Sequence, residues 1–436
     1  YGEREEVLSV MLEHPLELTP RKLPFHLAYQ LARQILHRLL PASGSPPAEE
    51  IQAVMLERAR VFASLSEIYF FTNEALPMAY AAVNTLNMAE EAGPTAELAE
   101  AYANMGFLMG VIPIHRFARG YLRKAQQASQ AAQRGPTQAY VSLITALYSV
   151  SVGAWEQTQA AVSEASRIYK QFGDQRRWGE ALSIQALTRH FLADFEESRQ
   201  SYQALYDAGR RTGDVQHQTW GLDGQAINLI RLGQFEEAKA ILLRSLPLFE
   251  RSNDRAEEFI HRGSLAAACF YQNKPAEALE AARQAVSLGK EFSAVYSTLE
   301  GYAGVAEVLL GLWEASPDEK QLAQEAAASV KAFNSYARRF LIGLPRAGVW
   351  EGLRLWLSGK PTAAFKAWEE ALELAQSMQM PYEIALAHLQ LGRHLPPTHT
   401  QTVPHLRAAV DLFERLGCAG EKGRAEKPLK DLTETR

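Results

Sequence analysis

Cysteine is scarce in this sequence, because its 436 residues include only Cys269 and Cys418, far apart in the chain. A disulfide framework is therefore unsupported, and we expect the reducing cytoplasm to be the compartment. No apolar run approaches the roughly 18–20 residues that span a bilayer, and no secretory signal pattern is present. The net charge of −5 provides no overall basic field for nucleic acid or anionic lipid.

Catalytic and metal-binding motifs are also lacking. The stretch "SGKPTAA" contains a Gly-Lys pair, but Pro361 stands where a phosphate-binding loop needs Ser or Thr. The patterns H-E-x-x-H, C-x-x-C and G-x-S-x-G do not occur. His394, His399 and His405 cluster in a Pro-rich stretch without carboxylate or cysteine partners, which favours a loop over a metal site. We expect no catalysis, no cofactor and no metal, and we expect Cys269 to pack as a small hydrophobe.

What the sequence does contain is an internal repeat. A small residue recurs every forty positions, at Gly153, Ala193, Gly233 and Asn273. An aspartate recurs at the same spacing, at Asp174, Asp214 and Asp254. Looser copies of the small residue fall at Asn73, Gly110, Gly311 and Gly359. Periods of this length are typical of stacked helical repeats.

Each period has a helical pattern twice over. One apolar stripe is formed by Val215, Thr219, Leu222, Ala226 and Leu229, and a second by Phe235, Ala238, Leu242, Leu246 and Phe249. Asp214 suits the N-cap of the first helix, and Gly233 suits the left-handed turn after it. One such pair cannot bury both stripes alone. We therefore predict an all-α, right-handed superhelical solenoid of antiparallel helix pairs.

The repeat divides the chain into three parts. Residues 1–47 are predicted to be a partial repeat, in which Gly2 aligns with Gly233, followed by an off-period helix from Pro24 to Leu39 and a loop. This alignment suggests a chain that starts at the second helix of a unit and belongs to a longer protein. Residues 48–417 hold about nine helix pairs, with an irregularity after Trp313, and residues 418–436 form a charged, frayed tail.

A ligand groove is the functional feature that such a fold predicts. In stacked pairs the first helices line the concave side, and theirs are the polar and aromatic residues to weigh. The predicted groove residues are Arg177, Trp178, Gln185, His217, Trp220, Gln225, Asn228, Glu258, His261, Glu300 and Tyr302, and the same helices also carry His190, Arg262 and Glu307. The alternative is that each tryptophan packs between repeats and each charge is solvated.

Two carboxylates beside a histidine, Glu257 and Glu258 next to His261, suggest acid–base chemistry. Adjacent helical residues point about 100° apart, so only one of the two carboxylates can share a face with the histidine. Glu258 and His261 are three residues apart and could pair, and an ordinary contact on a helix surface is the interpretation we favour.

The pattern of a small residue, an aromatic and "EEA" resembles the tetratricopeptide repeat, with a period longer than its usual length of about 34 residues. It is similar to the longer variety in bacterial signalling ATPases such as the maltose-regulon activator. The stretches "SEIYFFTNEALPMAYAAVNTLNMAEEAG", "GDQRRWGEALSIQAL", "LEGYAGVAEVLLGLWEA" and "QMPYEIALAHLQLGRHL" resemble the C-terminal region of bacterial proteins with an AAA/STAND-type ATPase module. That module often follows a class III adenylate/guanylate cyclase or a protein kinase domain.

The resemblance implies a regulatory array and supplies no functional residues. We expect a non-catalytic sensor or scaffold that binds a protein, peptide or small molecule in its groove and controls an upstream ATPase, cyclase or kinase module. The alternative is a stand-alone peptide receptor or the sensor domain of a transcription regulator of the maltose-activator type. Neither hypothesis involves nucleic acid or membrane as a partner of this region.

Overall fold

The structure is a computed structural model that describes residues 21–39, 48–72, 74–252, 254–292 and 295–434. No β-strand occurs among these residues, and nearly all of them lie in α-helices. The predicted all-α class is confirmed. Asn73 and Gly2, which the sequence analysis used to extend the repeat, lie outside the described residues, as does most of the predicted loop before Glu49.

Twenty α-helices follow one another in the described residues. The first ten are α1 Leu23–Leu39, α2 Glu49–Phe71, α3 Ala75–Ala92, α4 Ala96–Val111, α5 His115–Ala132, α6 Gly135–Ser151, α7 Trp155–Phe172, α8 Gln175–Phe191, α9 Phe195–Thr212 and α10 Val215–Arg231. The others are α11 Phe235–Ser252, α12 Arg255–Tyr271, α13 Pro275–Leu288, α14 Leu299–Ala315, α15 Lys320–Ala337, α16 Leu344–Leu357, α17 Pro361–Ser377, α18 Pro381–His394, α19 Thr402–Arg415 and α20 Ala419–Glu434. Short 3₁₀ turns, Tyr296–Thr298 and Leu341–Gly343, precede α14 and α16.

The turns inside the central helix pairs occur where the forty-residue spacing predicts them. The residues at this position have positive φ angles, namely Gly153 at 72°, Ala193 at 65°, Gly233 at 78° and Asn273 at 58°. At this φ the chain reverses directly after a helix, and glycine or asparagine tolerates it best. The first helices of two pairs, those after Asp214 and Asp254, begin at side-chain caps, since the Asp214 carboxylate accepts the N–H of His217 and that of Asp254 accepts the N–H of Glu257.

Two of the looser copies differ from the prediction. Gly110 lies inside α4 and Gly311 inside α14, so neither marks a turn. In both cases a glycine brings two helices together, because a Cβ would lie 2.7 Å from the Tyr148 ring at Gly110 and 2.4 Å from the Phe270 ring at Gly311. Glycine suits both close packing and a left-handed turn, so the presence of glycine alone does not tell the two apart.

The chain divides into two compact units. Unit 1 consists of Tyr1–Tyr148 and Ala160–Asp174, and within it α2 pairs with α3 and α4 pairs with α5. Its core contains Leu86, Met105 and Tyr121 in one cluster and Phe62 with Leu65 in another. The first helix, α1, packs on α3, as the off-period helix predicted from Pro24 to Leu39.

Unit 2 consists of Ser149–Gln159 and Gln175–Arg436 and is built in two layers. The first helices of the pairs, α8, α10, α12, α14, α16 and α18, contact one another in sequence and form the inner layer, which α20 ends. The second helices, α9, α11, α13, α15, α17 and α19, each pack on the preceding first helix. The inner helices α12 and α14 are buried on nearly all sides, as expected of helices surrounded by neighbours.

The closest approach of two inner helices, α12 and α14, depends on glycine. A Cβ added to Gly263 would lie 2.6 Å from the carbonyl oxygen of Gly301, and one added to Gly304 would lie 2.6 Å from the carbonyl oxygen of Gly263. These neighbours are backbone atoms, which cannot rotate away. The two backbones therefore touch here with no side chain between them.

The C-terminal residues differ from the predicted frayed tail. They form α20, whose Glu421 and Ala425 are fully buried. A Cβ on Gly420 would lie 2.7 Å from the Phe235 ring, so α20 packs against the start of α11 far back in the sequence. The high charge of this segment predicted a solvated tail, but its buried charged side chains have partners within unit 2.

Candidate functional site

The inner layer of unit 2 holds a buried cluster of charged side chains centred on Glu300. Arg231 on α10 donates a hydrogen bond from Nη2 to Oε2 of Glu300. Arg346 on α16 lies 3.7 Å from Oε1 of Glu300, and Nε2 of His190 on α8 lies 3.2 Å from the same oxygen. All four side chains are at most about 5% exposed. Three helices thus each contribute a basic side chain that faces the carboxylate of Glu300.

The cluster continues from the two arginines to Glu383 and Tyr382. Arg346 donates to Oε1 of Glu383 through both Nη2, at 2.5 Å, and Nε, at 3.2 Å. Arg231 donates from Nη1 to the hydroxyl of Tyr382 at 3.0 Å, and both guanidinium carbons lie within 4.7 Å of the Tyr382 ring centroid. Both guanidinium groups therefore lie within cation–π distance of the Tyr382 ring.

The C-terminal helix completes the cluster. The Tyr382 hydroxyl donates to Oε1 of Glu421 on α20 at 2.7 Å. Nearby, the Tyr271 hydroxyl donates to Glu307, and Nη1 of Arg424 lies 3.3 Å from the same carboxylate. We name the set the inner ionic cluster, and its members are His190, Arg231, Tyr271, Glu300, Glu307, Arg346, Tyr382, Glu383, Glu421 and Arg424.

The pKa shifts of two buried carboxyl groups in the cluster, Glu300 and Glu421, have opposite directions. Burial alone would raise the pKa of Glu300, but Arg231, Arg346 and His190 outweigh it and hold the pKa well below its ordinary value. Burial raises the pKa of Glu421, and Arg231 offsets only part of the effect. Glu300 is thus held in its ionised form, whereas Glu421 protonates more readily than an exposed glutamate.

Several buried hydrogen-bonding atoms of the cluster lack partners within the described structure. They are Nε of Arg231, Nη1 of Arg346, Oε2 of Glu383 and Oε2 of Glu421. Buried polar atoms are nearly always hydrogen-bonded, and each exception needs an explanation. The donors and acceptors left over in this cluster are the groups a polar ligand or ordered water would use.

Two of the predicted groove residues, Asn228 and Glu300, lie on the inner layer beside His190, and their role as ligand contacts stays a prediction. Nδ1 of His190 is 2.9 Å from Oδ1 of Asn228, while Nδ2 of Asn228 donates to Ser198 and to the carbonyl oxygen of Gly224. The two ring nitrogens of His190 therefore face two side-chain oxygens, one of Asn228 and one of Glu300. The contact with Asn228 orients the His190 ring towards Glu300.

His217 and Gln225 are buried and engaged locally. The His217 ring packs against Gly179, where a Cβ would lie 2.4 Å from it, and burial lowers its pKa. Gln225 donates from Nε2 to the carbonyl oxygen of Gly221 in its own helix at 2.8 Å. Neither side chain reaches the inner ionic cluster through a hydrogen bond or ion pair of the described structure.

The predicted contact between Glu258 and His261 does not form. His261 is fully buried, with Nδ1 3.1 Å from Oδ1 of Asp223 and 3.1 Å from the Ser245 hydroxyl. Glu258 instead accepts a hydrogen bond from Arg255 at 2.8 Å on the partly exposed side of α12. Burial and the nearby Asp223 raise the pKa of Glu257 well above its ordinary value. His261 is therefore paired with a buried aspartate of the neighbouring helix α10 instead of with Glu258.

The aromatic groove candidates lie between repeats. Trp178 and Trp220 are half-buried and pack on the cluster that contains Tyr202 and Leu205. Tyr302 is also half-buried, with its ring centroid 4.7 Å from that of Phe259. These positions favour the packing alternative for all three side chains.

The two remaining candidates, Arg177 and Gln185, lie on the partly exposed side of α8. Arg177 donates to Glu180 at 2.9 Å within its own helix. Gln185 is half-buried. Both stay proposals as ligand contacts.

The histidine-rich stretch is only partly a loop. His394 ends α18 and its ring stacks 4.7 Å from Trp368, and Nδ1 of His405 on α19 lies 2.8 Å from Nδ1 of His388. His399 lies in the connector. Within the described ranges, no three His, Cys, Asp or Glu side chains are placed to hold a metal ion together. Cys269 is buried on α12 and unpaired, as a packed thiol would be.

The sequence analysis missed Arg231, Arg346, Tyr382, Glu383 and Glu421. A signal was available for the arginines, since Arg231 in "AINLIRLG" and Arg346 in "LPRAGVW" are each surrounded by apolar residues. Glu421 was assigned to the tail.

None of the helices in the described parts of the chain is both long and apolar enough to cross a membrane.

Comparisons with known proteins agree with this fold. A family model described as "Tetratricopeptide repeat" matches residues 217–291, which span α10 to α13. No curated protein matches the chain. A similar solved structure is the "Crystal Structure of Rap Protein Complexed with Competence and Sporulation Factor", with a TM-score of 0.57, 12% identity, and coverage of 82% of this chain and 99% of that chain. At that identity the likeness shows the fold alone. The predicted solenoid of tetratricopeptide-like helix pairs is thus confirmed, and the finer resemblance to signalling ATPases stays a prediction.

Proposed function

We propose that this chain is a non-catalytic, cytoplasmic tetratricopeptide-type module that binds a protein or peptide at the inner layer of unit 2. The observation that carries the proposal is the inner ionic cluster, to which seven inner helices each contribute a side chain. Replacing a buried ionic group by packed apolar side chains is often neutral or stabilising. A cluster of this size is therefore better explained by function than by stability.

Ligand binding would exploit the groups that the cluster leaves unsatisfied. A carboxylate of a ligand would pair with Nη1 of Arg346 or Nε of Arg231, and an amide or ammonium group with Glu383 or Glu421. Because these groups are buried, the inner helices must separate for the ligand to enter, so the described arrangement is the closed state of a two-state element. The Rap protein in its solved complex holds a factor on a similar fold, which supports the assignment of a binding role to this one.

Regulation of an upstream module is the finer part of the proposal. The sequence resemblance implies a regulatory array that controls an AAA/STAND-type ATPase, a nucleotide cyclase or a kinase domain in the same polypeptide, and opening and closing of unit 2 is the movement we propose for this control. The alternative is a stand-alone peptide receptor, which the similarity in fold to the Rap protein favours. The native gene distinguishes them, because the first hypothesis requires a nucleotide-binding module encoded ahead of Tyr1.

The binding proposal is tested by selecting peptides from a phage-displayed random library against the whole chain and measuring their affinity by calorimetry. We expect selected peptides to carry an ammonium group, from a lysine or the N-terminus, and to lose affinity with Glu383→Gln, which removes the negative charge that would bind this group and keeps both arginines. The matched control is Glu325→Gln, which changes an exposed pair with Arg283 on the outer layer. Equal affinities for the wild type and both variants would exclude the inner ionic cluster as the binding site.

A further inference from the structure

A second surface, on unit 1, differs in charge from the rest of the molecule. Helix α5 carries four basic side chains and no acidic one, although the chain as a whole has a net charge of −5. The basic residues are Arg116, Arg119, Arg123 and Lys124. Cations three, four or seven positions apart on one helix repel one another and lower its stability slightly. A helix that concentrates them on a neutral-to-acidic protein suggests a partner of opposite charge.

On other second helices, several exposed basic side chains have acidic partners. Arg199 on α9 is paired with Glu196 at 2.6 Å, and Arg283 on α13 with Glu325 at 3.1 Å. These pairs cancel the local field.

The α5 cations are not neutralised in this way. Lys124 places its ammonium 5.2 Å from the ring centroid of Tyr102, and Arg119 bonds to the side chain of Tyr148. Arg116 and Arg123 are exposed and have no ion-pair partner in the described structure. Two guanidinium groups are therefore available on this face to a carboxylate ligand.

These cations border a cleft of about 600 Å³. Its described lining consists of Arg116, Phe117, Gly120, Tyr121, Arg123, Lys124 and Gln127. Their spacing places them on one face of α5. Gly120 lies in the middle, and a Cβ there would meet no atom within 4 Å. The missing side chain is thus what leaves the centre of the face open.

The cleft also has an apolar component. Phe117 is 52% exposed, and Ile112 and Ile114, just before α5, are 46% and 41% exposed. Large apolar side chains exposed together beside unpaired cations are typical of a binding surface. They give a ligand a place for a hydrophobic side chain as well as for its charges.

The dimensions fit a short extended peptide. From Arg116 to Gln127 the helix rises by about 16 Å, which equals about five residues of extended chain. Nucleic acid fits less well, because its affinity depends on neutralising many phosphates. The other described second helices carry acidic residues, so the basic surface is limited to the one helix α5.

We propose that this face of α5, the basic cleft, binds an extended acidic segment of a partner protein. Carboxylates of the segment pair with Arg116 and Arg123, and an apolar side chain packs on Phe117 above Gly120. This site lies on unit 1 and is independent of the proposed binding at the inner ionic cluster.

The test uses a fluorescein-labelled peptide of sequence Glu-Glu-Leu-Trp-Glu-Glu and the full chain, with affinity measured by fluorescence anisotropy at low and high salt. Arg116→Gln combined with Arg123→Gln should weaken binding about tenfold, because each exposed ion pair contributes up to about 1 kcal/mol. The matched control is Arg210→Gln combined with Arg211→Gln, the same charge change on exposed residues of α9, and should leave affinity unchanged.

A charge-neutral variant separates the cleft from a general charge effect. Gly120→Leu places a side chain in the open centre, where an added Cβ meets no atom within 4 Å, and it improves helix propensity, so the protein should stay folded while peptide affinity falls at least tenfold. The proposal is overturned if the control pair weakens binding as much as the cleft pair, or if Gly120→Leu has no effect. It is also overturned if single-stranded DNA or phosphatidylserine vesicles bind more tightly than the peptide with the same dependence on Arg116 and Arg123.

Discussion

Glu300→Gln is the most informative perturbation of unit 2, because it removes one charge and keeps the side-chain volume. The substitution leaves Arg231 without its carboxylate partner and removes one of the two carboxylates beside Arg346. Removing one partner of a buried ion pair costs about 3–5 kcal/mol, since the remaining charge stays buried and uncompensated. For a unit of this size we expect the melting temperature to fall by roughly 10 °C.

Tryptophan fluorescence during urea unfolding measures this effect in unit 2 specifically. All seven tryptophans of the chain belong to unit 2, at positions 155, 178, 220, 313, 350, 356 and 368. Urea is preferable to guanidinium chloride because it does not screen charges. Glu325→Gln serves as the control, since its exposed pair with Arg283 should contribute at most about 1 kcal/mol.

The pH dependence provides an internal check. The pKa of Glu300 lies well below its ordinary value in the folded state, so its contribution is fully present above the pKa of the unfolded chain, about 4.3. The difference in unfolding free energy between the wild type and Glu300→Gln should therefore be constant above about pH 5 and shrink as the pH falls below about 4. A Glu300→Gln protein as stable as Glu325→Gln at pH 7 would refute the assignment of a buried ionic cluster.

Other substitutions test the packing. Gly263→Ala should destabilise unit 2 by about 1–3 kcal/mol in the same urea assay, because the new methyl group would meet the backbone of Gly301; unchanged stability would mean that the two helices separate freely. Trp220→Ala should cost about 3 kcal/mol if the side chain packs between repeats, and normal melting with lost peptide binding would return it to the ligand site. Gly233→Ala should cost about 1 kcal/mol because φ is 78° there. Burial, with a second histidine nearby, lowers the pKa of His388 to about 4, so the unfolded chain binds more protons and stability should fall from about pH 6.5 downward; His388→Gln should flatten that fall in urea titrations.

Local rules explain why so much of the fold could be predicted. The turns at Ala193 and Gly233 and the caps at Asp214 and Asp254 depend on residues within a few positions of one another, and the sequence shows all of them. Repetition then strengthens each local signal. Glycine occurs both in left-handed turns and at close contacts between helices, and a rule based on neighbouring residues does not tell which of the two applies at Gly311.

The candidate site was predicted less completely, because its chemistry depends on contacts between distant parts of the chain. Glu300 could be singled out as a polar residue on a first helix, yet its partners are 69 residues away at Arg231 and 110 residues away at His190. A charged residue is usually solvated, so sequence alone did not lead to an interior position for Arg346 or Glu421. Their burial becomes visible only when helices far apart in sequence are packed together.

By itself, then, the sequence determined the all-α class, the helix pairs and the positions of the central turns, since periodicity, capping and backbone conformation act over a few residues. Only the tertiary structure decided that α20 is part of unit 2 and that the inner layer is filled by an ionic cluster. The reason is physical: the free energy of a buried charge is set by the partners around it, and packing, rather than neighbours in sequence, brings Arg231, Glu300 and Arg346 together.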